Sequence, residues 1–159
     1  MPWSGKTTTT IALAEKLKMN LIDLDKEAER IEGKDLIEIM KEKGAPYFRE
    51  IGYGLLLKLS VPTIISPAGS VIYHEPSIDW IRKNAKVFFL NTPIEVIKAR
   101  MEGNPKAGSD LSEKGIEDLF KKRFPVYLEN ADYVIDTQNK TVLEIVDEID
   151  SLINESSFC

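Results

Sequence analysis

Short apolar runs of β-branched and aromatic residues alternate along this chain with segments of helical period, and no other feature constrains the fold as much. Residues 7–18 read as a helix with Ile11, Leu13, Ala14 and Leu17 on one face. Leu21, Ile22 and Asp23 read as a strand. Two polar helical segments follow at about 26–32 and 34–43, separated by Gly33 and ended by Gly44. A third, 47–59, carries Leu55, Leu56 and Leu59, although Gly52 and Gly54 weaken it. Thr63–Ser66 is the next expected strand, with a turn over 67–70. A short helix over 78–83, a strand over 86–90, and a helix from Pro93 to about Met101 come next. The final third reads as a helix from 112 or 113 to 128, a strand over 133–135, and a last helix. Thr141 with Glu144 caps that helix, and Val142, Ile145, Val146, Ile149, Leu152 and Ile153 form its apolar stripe. Alternating strands and helices imply βαβ units and a parallel sheet covered on both faces. Four strands are expected, in a single α/β domain spanning 1–159.

The bulk properties exclude several classes. The net charge of -5 argues against nucleic acid as the main partner, since a phosphate backbone needs a basic face. No apolar run reaches the roughly 18 residues of a membrane span, and no signal-peptide pattern is visible. The single cysteine, Cys159, allows no disulfide within the chain. A cytoplasmic protein, monomeric and without nucleic-acid or membrane partners, is expected.

Ser4-Gly5-Lys6-Thr7, directly before the first helix, matches the second half of the phosphate-loop pattern G-x-x-x-x-G-K-[ST]. In that pattern backbone N–H groups and a helix N-terminus hold phosphate oxygens. Lys6 would span the β- and γ-phosphates of ATP, and the Thr7 hydroxyl would ligate Mg²⁺. The run Ser4, Gly5, Lys6, Thr7 and Thr8 is therefore the candidate nucleotide site. The pattern's first glycine and the strand ahead of it would fall before Met1, so the expected sheet lacks its first strand within these residues. A Gly-Lys-Thr triplet alone also fits a solvated helix start.

Asp23 and Asp25 stand at the end of the first visible strand. If the strand continued, their i, i+2 spacing would point both carboxylates the same way. Ligands of open α/β sheets bind at the carboxyl ends of strands, where two acids suit Mg²⁺ and a substrate hydroxyl. Helix N-capping by Asp25 is the competing reading.

Leu21-Ile22-Asp23-Leu24-Asp25, then Ile31-Glu32-Gly33, Leu36-Ile37-Glu38-Ile39 and Gly44-Ala45-Pro46-Tyr47-Phe48-Arg49, resemble the shikimate kinase family in order and spacing. Arg123-Phe124-Pro125-Val126-Tyr127, Ala131-Asp132 and Ile135-Asp136-Thr137 resemble its C-terminal signature. The resemblance implies a three-layer α/β/α P-loop kinase fold. It implies phosphorylation of a hydroxyl on a small carboxylate by ATP and Mg²⁺, with shikimate going to shikimate 3-phosphate in aromatic amino acid biosynthesis. Lys6 and Thr7 match its ATP and Mg²⁺ residues, and Asp23 an acid near the metal. Asp25 matches an acid that contacts the substrate hydroxyls and helps accept the proton. Arg49 and Arg123 match arginines on the substrate carboxylate, and Arg100 matches a position over the adenine. Planar, bidentate arginines suit a carboxylate on independent chemical grounds.

The chain departs from that family at three places. Pro67-Ala68-Gly69 stands where three glycines are usual, so only Gly69 matches there. The expected lid, about 103–111, has Lys106 as the one cation within 103–109 in place of an arginine. Trp3 stands in the phosphate loop where a glycine is usual. These departures keep two alternatives open: another small-molecule kinase on the same scaffold, for gluconate or a nucleoside monophosphate, or a degenerate non-catalytic nucleotide-binding domain. Tyr47, Phe48 and Trp80 read as core or pocket wall, and His74 reads as incidental.

Overall fold

The computed structural model describes residues 1–59, 61–103 and 113–156. The expected lid, with Lys106, lies outside them except for Gly103. The chain divides into two compact units, Met1–Ala12 with Lys86–Cys159, and Leu13–Ala85. Helix α1 (Lys6–Leu17) begins in the first and ends in the second. Its buried residues are Thr9 and Leu13, one turn apart, whereas Ile11 is exposed, so the face predicted from the apolar residues is turned.

In the second unit, β1 (Asn20–Asp23) pairs in parallel with β2 (Thr63–Ser66), with Asp23 opposite Ser66. Between them in sequence lie α2 (Leu24–Glu32) and α3 (Leu36–Leu56). Each boundary has a chemical cause. Asp23 Oδ1 accepts the amides of Asp25 and Lys26, which starts α2. Gly33 ends it in the left-handed conformation at φ 65°, its N–H donating to Glu29 O. Asp35 and Glu38 cap α3 reciprocally. The two helices expected over 34–43 and 47–59 run on as one element, broken at Gly44 (φ 83°, ψ 160°) just before Pro46. A short 3₁₀ turn (Val71–Tyr73) and α4 (Glu75–Asn84) complete the unit. Ala28, Ile39 and Phe48 form one buried cluster, and Leu24, Leu55 and Leu56 another, against which Trp80 packs. Ile39 is 1% exposed, so Ile39→Ala is expected to lower the unfolding free energy by about 3 kcal/mol, read from chemical denaturation midpoints.

In the first unit, β3 (Phe88–Asn91) pairs in parallel with β4 (Tyr133–Asp136). The facing pair Phe88 and Tyr133 stacks with ring centroids 5.0 Å apart. Helices α5 (Ile94–Gly103) and α6 (Glu113–Glu129) bury Ile97, Met101 and Ile116 together. Lys98 forms an ion pair with Glu117 that joins the two helices, and its hydrogen bond holds the Glu117 carboxyl below the usual carboxylate range. The last helix, α7 (Val142–Ser156), opens with the expected capping box. Thr141 donates both N–H and hydroxyl to Glu144, and the Glu144 amide donates back to the Thr141 hydroxyl. All four expected strands form, in two parallel pairs rather than one continuous ladder.

Candidate active site

The first unit carries the phosphate loop. Gly5 has φ 89°, a conformation that disfavours a side chain, and its carbonyl accepts the Thr9 amide in the first turn of α1. Trp3 also sits in the left-handed region, at φ 55°. That is the backbone shape for which a glycine is usual, so the departure leaves the loop's path glycine-like. The indole packs on the Ile97, Met101 and Ile116 cluster, which offsets part of the conformational cost.

The loop is pinned from two sides. Arg100 Nη1 donates to Trp3 O at 3.1 Å, and Thr92 Oγ1 donates to Ser4 O at 3.0 Å. Ser4 is itself buried, its hydroxyl donating to Met1 O. The structure thus brings Arg100, expected over the adenine, against the loop backbone. Lys6 and Thr7 are half-buried at the start of α1, and Thr8 is exposed. Arg123 is half-buried on α6, with its Nε inside the protein.

The second unit holds Asp23, Asp25, Arg49 and Gly69. The strand ends at Asp23, so Asp25 lies in the first turn of α2 and the strand-spacing argument for two parallel carboxylates does not apply. The cap of α2 is Asp23, not Asp25. Asp23 Oδ2 accepts the hydroxyl of Ser66, the fully buried last residue of β2. Both Asp23 oxygens are therefore fixed by the protein.

Arg49 borders a small cavity that also has Leu24, Phe48, Ala68, Val71 and Ser77 in its walls. Its guanidinium carbon lies 5.4 Å from the centroid of the Tyr73 ring, and its Nε is buried with no hydrogen-bond partner among the described residues. A buried guanidinium donor left unmade is costly unless a ligand completes it. Ala68 packs its methyl on the Ala28, Ile39 and Phe48 cluster. Neither Ala68 nor Gly69 has positive φ, so alanine in place of glycine there strains nothing and simply narrows the cavity.

Sequence reasoning missed one residue that touches this wall at Ser77. His74 is not incidental: its Nδ1 lies 2.8 Å from Ser77 Oγ, its Nε2 lies 3.1 Å from Glu50 Oε1, and its ring meets Tyr53 edge-on. The imidazole ties α4 to α3 directly beside Arg49. A lone histidine carries no spacing signal, and Glu50 stands 24 residues away, so the sequence had nothing to reveal this.

A family model described as shikimate kinase matches residues 2–154. A shikimate kinase of Persephonella marina is 34% identical over 92% of this chain and 90% of its own length. One from Bacillus cereus is 35% identical over 96% and 93%. Among solved structures, a shikimate kinase from Acinetobacter baumannii in complex with shikimate superposes with a TM-score of 0.86 at 28% identity, covering 98% of this chain and 89% of that one. That of Aquifex aeolicus gives 0.78 at 26% identity, over 98% and 92%. The α/β fold is that of these phosphate-loop kinases, and the chain belongs to the shikimate kinase family of phosphotransferases.

Proposed function

We propose that this protein transfers the γ-phosphoryl group of ATP to the 3-hydroxyl of shikimate, releasing ADP. The observation that carries the acceptor is Arg49, a half-buried arginine at a small cavity with one donor lacking a partner. A small carboxylate supplies that partner with charge-assisted geometry. The likeness to a kinase solved in complex with shikimate supports the same acceptor.

The reaction breaks the bond from the γ-phosphorus to the β,γ-bridging oxygen and forms one to the acceptor oxygen. Asp25 orients the acceptor hydroxyl and takes its proton. Lys6 and the amides of the Ser4 to Thr8 loop neutralise the phosphates. Arg49 and Arg123 hold the acceptor carboxylate, Gly69 lets the acceptor approach the backbone, and Arg100 lies by the nucleotide base.

Thr7 and Asp23 are the oxygen donors suited to Mg²⁺, which supplies charge neutralisation at the transferring group. Asp23 accepts from two amides and from Ser66, so its carboxylate is held in place. No described helix is long and apolar enough to cross a membrane. We further propose one kinase domain, monomeric and cytoplasmic.

A coupled ADP-release assay with and without shikimate tests this reading. Shikimate-dependent turnover in the presence of Mg²⁺ is expected. No shikimate-dependent turnover, with phosphorylation of gluconate or a nucleoside monophosphate instead, would replace the acceptor.

A further inference from the structure

We infer that Thr92 and Thr137 are positioning residues for the phosphate loop, acting through a buried chain of hydroxyl hydrogen bonds that ends on the carbonyl of Ser4. The inference rests on the reading of that loop as the nucleotide site. Asn91 and Asp136 face each other in the parallel register of β3 and β4. Thr92 and Thr137 directly follow the two strand ends, so the register brings them side by side. The Thr137 amide continues the ladder by donating to Asn91 O at 3.2 Å. Both side chains are buried, at 2% and 8% exposure. Thr137 Oγ1 donates to Thr92 Oγ1 at 2.9 Å, and Thr92 Oγ1 donates to Ser4 O at 3.0 Å. A hydroxyl has a single proton. Thr92 gives its proton to the loop, and the Thr137 hydroxyl, which has Asn91 O at 3.4 Å as a second acceptor, makes its shorter bond by donating to the Thr92 oxygen, which polarises the chain toward Ser4.

The consequence follows from peptide geometry. In a planar trans peptide the carbonyl of one residue and the N–H of the next point in opposite directions. Pinning Ser4 O to Thr92 therefore turns the Gly5 N–H away from the strand ends. Arg100 fixes the preceding peptide by holding Trp3 O. The pin is needed because Gly5, with φ at 89°, has the conformational freedom to let the Ser4–Gly5 peptide turn over. A loop whose peptides are already held binds phosphate with less reordering. Neither threonine has to touch the nucleotide for this. Each acts through Ser4.

The test uses the full chain with Thr92→Val, Thr92→Ser and Thr137→Val. ADP dissociation constants come from calorimetric titration, and KM is measured separately for ATP and shikimate. Thr92→Val is expected to raise the ADP Kd and the KM for ATP about 10-fold, the scale of one buried hydrogen bond, with the KM for shikimate within about twofold. Thr92→Ser keeps the hydroxyl and is expected to restore both to within about twofold of wild type. Thr137→Val removes the polarising donor to Thr92, together with the longer contact to Asn91 O, and leaves the Thr92–Ser4 bond in place, so a selective rise of about threefold is expected. Wild-type ADP affinity in Thr92→Val would overturn the inference, as would equal damage from Thr92→Ser or a parallel rise in both KM values. If Thr92→Val does not fold, the selectivity of Thr137→Val decides. Wild-type protein that binds ADP without turning over shikimate would refute the acceptor and leave this inference standing on the nucleotide data. Wild-type protein that binds no ADP would refute the loop reading and this inference with it.

Discussion

Lys6→Ala is expected to lower kcat by about 1,000-fold and to weaken ATP binding, while leaving Tm within about 2 °C of wild type. Lys6 is the first residue of α1, directly after the left-handed Gly5. A cation at a helix N-terminus faces the positive end of the helix dipole, an electrostatically unfavourable position. No acidic residue stands in that first turn. Bound phosphates would meet the lysine and the helix amides together. Lost function without lost stability is therefore the signature to look for. Lys6→Arg is expected to recover little, since a planar fork does not replace a compact ammonium on a phosphate bridge. Unchanged nucleotide affinity in Lys6→Ala, measured by titration with ADP, would remove the loop from the mechanism and favour a non-catalytic domain.

The same local logic explains what was legible in the sequence. Strand positions followed from short β-branched runs, and β2 over Thr63–Ser66 was read at its observed bounds. Gly33 and the pair Thr141 and Glu144 marked helix ends because their chemistry lies within a few residues. What depended on distant partners stayed hidden. Two acids separated by one residue look alike on paper, yet Asp23 accepts two amides and turns the chain into α2, which takes Asp25 off the strand. Thr92 and Thr137 are 45 residues apart, and only the β3–β4 register makes them neighbours. His74 needed the packing of α3 beside α4 to acquire Glu50 and Ser77 together. Trp3 looked like a defect in the loop because its backbone angle is not written in its side chain. The family was more legible than the packing here, since its motifs stand in order along the chain.

The other large effect is expected at Arg49. Arg49→Ala should raise the KM for shikimate about 100-fold, equivalent to about 3 kcal/mol of charge-assisted hydrogen bonding, with the KM for ATP little changed. Arg49 sits in α3 beside Phe48, which is 3% exposed and anchors the helix, so the guanidinium is held at the cavity by a packed neighbour. Tyr73 holds the other side, with its ring centroid 5.4 Å from the guanidinium carbon. This is preorganisation: the ring orients the cation without occupying its donors, and the buried Nε lacks a hydrogen-bond partner among the described residues. Removing an unfulfilled buried donor relieves a desolvation cost, so Arg49→Ala is expected to keep or raise Tm while it weakens the acceptor. A residue present for packing would show the opposite, with stability falling and both KM values drifting together. Arg49→Lys separates charge from shape. An ammonium keeps the positive charge but makes single rather than paired contacts with a carboxylate. It is expected to recover less than about tenfold of the lost affinity. Full recovery by lysine would mean that the cavity needs only a positive charge, and the case for a carboxylate acceptor gripped in two places would fall.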